Sequence, residues 1–286
     1  MSGKSWNLGL IGWPLDHSYS PRLHQAALEA AGLDGDYRLM PVPPAPEGSP
    51  GLEQALEDLR QGDWDGLNVT IPHKRTALPY LDQLSETAQG VGAVNTIIRR
   101  SGGLIGENTD VPGFLADLRA LNLPDFGEAI ILGAGGAAMA AAFALATEGW
   151  EVRLAGRRLA QAENAADWLR RSIDTAPRSP QVTAIDLSGL ARFLRACSLV
   201  VNATPVGMHP RSEESPWPAG LSLPPSAAVY DIVYNPLETR LVRDARAAGL
   251  PARGGIGMLI EQAALAFEAW TGFRPSREAM AAAVGL

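Results

Sequence analysis

Several short stretches of this 286-residue chain carry residue types that could bind an anion or move a proton. Gly133-Ala134-Gly135-Gly136-Ala137-Ala138 follows the apolar run Ile130-Ile131-Leu132, the pattern of a strand, a tight turn and a helix of small residues. In such a turn the first glycine closes the bend and the second lets backbone N–H groups approach a pyrophosphate. The small residues after it let the helix lie close to the strand. Glycine turns also join strands to helices where no nucleotide binds. The next strand, residues 150–154, ends in Ala155-Gly156-Arg157-Arg158, where an enzyme preferring NAD usually carries Asp or Glu for the ribose 2′-hydroxyl. Two guanidinium groups pair with phosphate instead and point to the 2′-phosphate of NADP. Taken alone, the same pair also fits a solvated basic loop.

Ser18 and Ser20 precede a helix that Pro21 opens, and two hydroxyls at its positive end could cradle a carboxylate. Capping alone accounts for Ser20 but not for Ser18. Pro72 predicts a second helix after a strand ending near Thr70, which places Lys74 in the first turn, against the helix dipole. That placement favours a role in proton transfer, although, taken alone, a lysine that simply reaches into water is the better fit. His73 reads as surface or packing. Asp110 suits an N-cap or a first-turn acid, Asn95 a hairpin, Gln262 the surface of a helix. Cys197, in an apolar stretch, reads as a buried structural thiol.

The elements that position these residues read as α/β. Strands are expected at 6–11, 37–40, 182–185, 198–202 and 229–233, with a hairpin of 92–98 and 104–106 around Ser101-Gly102-Gly103. Helices are expected at 21–31, 52–60, 110–121, 159–171, 190–196 and 238–248. Gly254-Gly255-Ile256-Gly257-Met258 reads as another glycine turn, followed by a helix to about 271 with Gln262 in its first turn. Residues 41–50 and 209–218 read as surface loops.

Composition narrows the class. Hydrophobic residues make up 46% and charged residues 19%, as in an ordinary globular protein, and the length suits one large domain or two ordinary ones. A net charge of −7 argues against nonspecific nucleic-acid binding. One cysteine excludes an internal disulfide and is compatible with a reducing cytoplasm. No apolar run is long enough to span a bilayer, and residues 1–7 lack the apolar core of a secretion signal.

These stretches, with several others, resemble the shikimate dehydrogenase family from end to end. The resemblance lies in His17-Ser18-Tyr19-Ser20-Pro21, Asn68-Val69-Thr70-Ile71-Pro72-His73-Lys74, Gly92-Ala93-Val94-Asn95-Thr96 and Gly106-Glu107-Asn108-Thr109-Asp110. It continues in Gly133-Ala134-Gly135-Gly136-Ala137, Asn202-Ala203-Thr204-Pro205-Val206-Gly207 and Asp231-Ile232-Val233-Tyr234-Asn235-Pro236, and closes with Gly255-Ile256-Gly257-Met258-Leu259 and Gln262.

The resemblance implies an α/β fold of two domains with the active site in the cleft between them. Residues 1–109 with 255–286 would form a substrate-binding domain, and residues 110–254 a Rossmann-type doubly wound NADP-binding domain. It implies a cytoplasmic enzyme of aromatic amino-acid biosynthesis, monomer or homodimer, with no metal, that reduces 3-dehydroshikimate to shikimate reversibly with NADPH. Ser18, Ser20 and Tyr234 would hold the substrate carboxylate; Thr70, Asn95, Asp110 and Gln262 would bind ring hydroxyls. Lys74 and Asp110 would form the pair at the reacting oxygen. Gly133 to Ala137, Arg157, Arg158, Thr204, Ile232, Gly255 and Met258 would hold the cofactor. The family's usual Asn-Arg-Thr at the cofactor tip, with a later arginine, is here Gly156-Arg157-Arg158 with Gln161. The resemblance leaves two rivals: a quinate/shikimate dehydrogenase using NAD, and a non-catalytic sensor of shikimate-like ligands.

Overall fold

The computed structural model describes residues 4–173 and 181–286, so the first three residues of the N-terminal stretch lie outside the described residues. The chain divides into two compact units, Met1–Thr109 with Ile260–Leu286, and Asp110–Leu259.

The first unit is built on a six-stranded mixed sheet. Strands β1 (Ser5–Gly12), β2 (Asp34–Pro41) and β3 (Gly66–Val69) are parallel. Strand β4 (Gln83–Leu84) lies at the far edge beside the hairpin of β5 (Thr96–Arg100) and β6 (Gly103–Glu107), giving the order β2-β1-β3-β5-β6-β4. Helix α1 (Ser20–Ala30) joins β1 to β2, and α2 (Ser49–Gln61) joins β2 to β3. The apolar stripe of α2, Leu52, Leu56 and Leu59, packs with Ile11, Leu67, Val69 and Ile97, at the three- and four-residue spacing of a helix face. The expected strand at 92–98 begins only at Thr96. Gly92 instead ends a short helix, α3 (Glu86–Val91), in the left-handed conformation (φ 67°).

The second unit holds six parallel strands in the order β12-β11-β10-β7-β8-β9. They are β7 (Glu128–Leu132), β8 (Glu151–Gly156), β9 (Val182–Asp186), β10 (Cys197–Asn202), β11 (Ala228–Asp231) and β12 (Ala252–Gly254). The order reverses between β7 and β10, as in a doubly wound nucleotide-binding sheet. Helices α4 (Asp110–Leu118), α5 (Gly136–Thr147), α6 (Leu159–Ile173) and α7 (Arg240–Ala247) belong to this unit. Alanine-rich α5 is buried on nearly every face, which only small side chains allow at such close approach.

Helix α8 (Ile256–Thr271) crosses from the second unit to the first, and α9 (Arg277–Ala283) ends the fold. The helix expected at 190–196 is a 3-10 segment, Leu187–Arg192, with turns after it. Cys197 is buried, its thiol donates to the Leu199 carbonyl, and burial pushes its pKa up to about 11. No helix among the described residues is long and apolar enough to cross a membrane.

Candidate active site

In the first unit the predicted substrate residues lie at the carboxyl ends of β1 and β3, at the start of β5 and on α8. Ser20 is the first residue of α1 rather than its cap. The Ser18 hydroxyl accepts from the Ser20 amide at 3.3 Å. Ser18 therefore does the local satisfying that the sequence assigned to Ser20. Thr70 follows β3; its amide donates to the Ile11 carbonyl and its methyl packs where Gly12 has no Cβ.

No helix starts at Pro72. Residues 71–77 form successive turns, and the Lys74 carbonyl accepts from the Val94 amide at 2.8 Å, so it is not available to a helical ladder. The argument from the helix dipole therefore does not apply to Lys74. The long-range bond instead ties its backbone beside Asn95. His73 is buried, with Nε2 2.8 Å from the Val42 carbonyl and Nδ1 beside the Thr76 hydroxyl, which fits packing.

Asn95 is the hub of this unit. Its Oδ1 accepts from the Thr109 amide at 2.7 Å and the Thr96 hydroxyl at 3.1 Å, and its Nδ2 donates to Gln262 Oε1 at 3.2 Å. Asn68 Nδ2 donates to the Asn95 carbonyl and Thr96 Oγ1, and Tyr37 donates to Asn68 Oδ1. Gln262 is buried in the second turn of α8, not on its surface. The structure thus brings together two of the predicted ring-hydroxyl residues, Asn95 and Gln262, and fixes which way their amides face.

In the second unit Asp110 is buried as the first residue of α4. Gly133 has φ 119°, which a side chain would resist, and a Cβ there would lie 3.1 Å from the Ala203 carbonyl and 3.3 Å from the Thr204 methyl. The turn is therefore packed against Thr204. Gly135 has open space where its Cβ would be, and no side chain caps α5. Ala134, Gly136 and Ala137 complete this turn, whose uncapped helix start and room suit a pyrophosphate. Arg157 and Arg158 follow β8, are exposed and, among the described residues, form no ion pair; residues 155–158 include no acid, and the nearest strand-end acid is Asp186 on β9, in register with Gly156. That surface fits a 2′-phosphate, so the residues present fit NADP. Gln161 Nε2 lies 3.4 Å from the Ala134 carbonyl and braces the glycine turn.

Ile232 and Gly255 meet closely: a Cβ on Gly255 would lie 2.1 Å from the Ile232 carbonyl. Met258 is buried and Tyr234 half-buried. Residues 256–258 are the first turn of α8 and not a loop. Around them sit buried polar groups that sequence reasoning passed over. Asp231 Oδ1 accepts from Asn202 Nδ2 at 2.8 Å and the Val233 amide at 3.0 Å, while Oδ2 accepts from the Thr239 hydroxyl at 2.6 Å. Asn202 Oδ1 in turn accepts from both the amide and the hydroxyl of Thr204. Burial pushes the Asp231 pKa up to about 6, against these donors. Asn202 and Asp231 stood inside recognised stretches, but an acid between apolar strand residues was the signal that they do more than continue a strand. Among the described residues no group of three or more His, Cys, Asp or Glu is placed to hold a metal ion.

Sequence models for the shikimate dehydrogenase substrate binding domain and the shikimate 5'-dehydrogenase C-terminal domain match residues 10–97 and 255–284. A shikimate dehydrogenase (NADP(+)) of Methanopyrus kandleri is 42% identical over 97% of this chain and 94% of its own. The chain belongs to the shikimate dehydrogenase family. A family member from Thermus thermophilus, solved with NADP(H) and shikimate, superposes with a TM-score of 0.83 at 40% identity, covering 97% of this chain and 98% of that one. A quinate dehydrogenase from Corynebacterium glutamicum, solved with NAD, gives 0.87 at 34% identity over 98% of both chains. Solved structures that this chain resembles therefore carry either NADP(H) or NAD.

Proposed function

We propose that the protein is an NADP-dependent shikimate dehydrogenase that reversibly reduces the 3-dehydroshikimate carbonyl to the shikimate hydroxyl in aromatic amino-acid biosynthesis. The reading rests on the likeness to NADP(+) shikimate dehydrogenases along almost the whole chain. The exposed Arg157-Arg158 pair, in a β8 tip whose own sequence carries no acid, favours NADP over the NAD-linked quinate reading. In this reading the first unit serves the substrate and the second the cofactor. The protein works in the cytoplasm as a monomer or homodimer.

Ser18, Ser20 and Tyr234 hold the carboxylate, and Thr70, Asn95 and Gln262 hold ring hydroxyls. NADPH, when bound, supplies the hydride. As negative charge grows on the carbonyl oxygen, the Lys74 ammonium stabilises it and provides a proton, and Asp110 balances and orients the lysine. Gly133 to Ala137 receive the pyrophosphate, Arg157 and Arg158 the 2′-phosphate, and Thr204, Ile232, Gly255 and Met258 shape the nicotinamide side.

Initial rates with shikimate and quinate, each with NADP and NAD, test the assignment. Shikimate with NADP is expected to give the highest kcat/KM; quinate with NAD in first place would overturn it, and binding without any absorbance change would leave a sensor. Lys74→Ala is expected to lower kcat by roughly a hundred- to ten-thousand-fold. Unchanged turnover with a tenfold weaker substrate constant would reassign Lys74 to binding.

A further inference from the structure

Asp117 lies seven residues after Asp110 in α4, two turns along and on the same helix face. Its neighbours on the buried side are Val111, Phe114 and Leu118, so an acid here costs free energy unless it is bonded. Tyr230 Oη donates to Oδ2 at 2.7 Å and Arg253 Nη2 donates to Oδ1 at 2.5 Å. Tyr230 and Arg253 are register partners on β11 and β12, so both donors stand on one rung of adjacent strands. On the other side the carboxylate fills the space left by a missing side chain. A Cβ on Gly257 would lie 1.9 Å from Oδ1 and 2.6 Å from Oδ2. Phe114 meets the Tyr230 ring edge-on at 5.2 Å, a second attachment of α4 to the same strand.

We propose that Asp117 is a positioning residue that sets the place of α4 along its own axis, and so the place of Asp110, against residues 255–258. Apolar packing alone would hold α4 to the sheet without choosing that coordinate, because hydrophobic contact is non-directional. Two directed bonds and a steric stop choose it. Burial, followed by the Asp117 charge, holds the Tyr230 phenol well above its ordinary pKa, so it remains a donor. The hydrogen bond to Asp117 likewise leads in holding the Arg253 guanidinium charged.

The inference rests on the reading that Asp110 acts at the substrate, and the test separates the two. Asp117→Asn keeps the shape but turns one acceptor into a donor facing Tyr230 or Arg253. Steady-state kinetics on the folded full-length variant are expected to show kcat roughly thirtyfold lower, as for a misplaced catalytic group. The NADP KM is expected to stay within about twofold, because the glycine turn and Arg157-Arg158 are untouched. Tyr230→Phe removes one bond and keeps the ring against Phe114. It is expected to lower kcat about threefold, and it serves if Asp117→Asn does not fold. A lower melting temperature with unchanged kcat would make Asp117 purely structural and overturn the proposal, as would a rise in the NADP KM matching the fall in kcat. Asp110→Asn is measured beside them. Lost turnover there with normal turnover in the Asp117 and Tyr230 variants overturns this proposal alone; normal turnover there overturns the role of Asp110 and this proposal together.

Discussion

The buried carboxylates among the described residues, Asp110, Asp117 and Asp231, all lie in the second unit, and the buried histidines, His24 and His73, both lie in the first. The difference follows from how many donors each site must satisfy. Around Asn95, amides and hydroxyls of Asn68, Thr96, Thr109 and Gln262 offer both donors and acceptors to one another. At the ends of β10 and β11, donors are in excess: the Val233 amide, Asn202 Nδ2 and the Thr239 hydroxyl converge on one residue. A carboxylate offers acceptor sites only, whereas an amide side chain would bring two donors of its own. The price is a charge in the interior.

That contrast makes the two units respond to acid in opposite senses. His24 stacks on Tyr37 at 4.2 Å, and neither ring nitrogen makes a hydrogen bond of normal geometry. Burial pushes its pKa down from 6.5 to about 3, with Asn68 offsetting part of the drop. The unfolded chain therefore binds the His24 proton first, and stability of the first unit is lost as pH falls from about 6.5 towards 3. Asp231 goes the other way. Its pKa rises from 3.8 to about 6 on folding, so its contribution is full below about pH 3.8 and is lost as pH rises through 6.

The strongest attempt to break this comparison is Asp231→Ala, which strands three donors. It is expected to cost roughly 4 kcal/mol, read as a lower denaturation midpoint, with slower cofactor binding through the loosened Thr204. A loss under about 1 kcal/mol would mean the network carries little. Next comes the pH contrast itself, on the order of 3 kcal/mol for Asp231. Amide-exchange protection, corrected for intrinsic rates, is expected to rise in β1 and fall in β7 between pH 4 and 6. His24→Phe is expected to flatten the first trend and leave the second, and parallel trends in both strands would refute the contrast. Smallest is Arg157→Ala, expected to raise the NADP KM about tenfold, near 1.4 kcal/mol, with little change for NAD. Equal effects on both cofactors would remove the 2′-phosphate assignment.

What was legible in the residues was whatever local chemistry dictates. The β7 turn at Gly133, the first turn of α1 with Pro21 and the hairpin around Gly102 declare themselves through glycine, proline and apolar runs. What stayed hidden was decided at long range. Pro72 looked like a helix start until the Lys74 carbonyl turned to Val94, twenty residues on. Gln262 looked like a surface amide because nothing nearby in sequence announces Asn95. Strand β12 is three residues long and α3 six, too short for a period to emerge. Asn202, Asp231 and Asp117 were each visible as a polar residue in an apolar setting, yet only the fold supplies their partners.

Gly257 carries a warning for anyone who wishes to make this protein more heat-resistant. Inside a sixteen-residue helix, exchanging glycine for alanine ordinarily raises stability by about 1 kcal/mol, so propensity scales would nominate that position first. Here the added methyl would claim the volume that the Asp117 oxygens occupy, and the sign reverses.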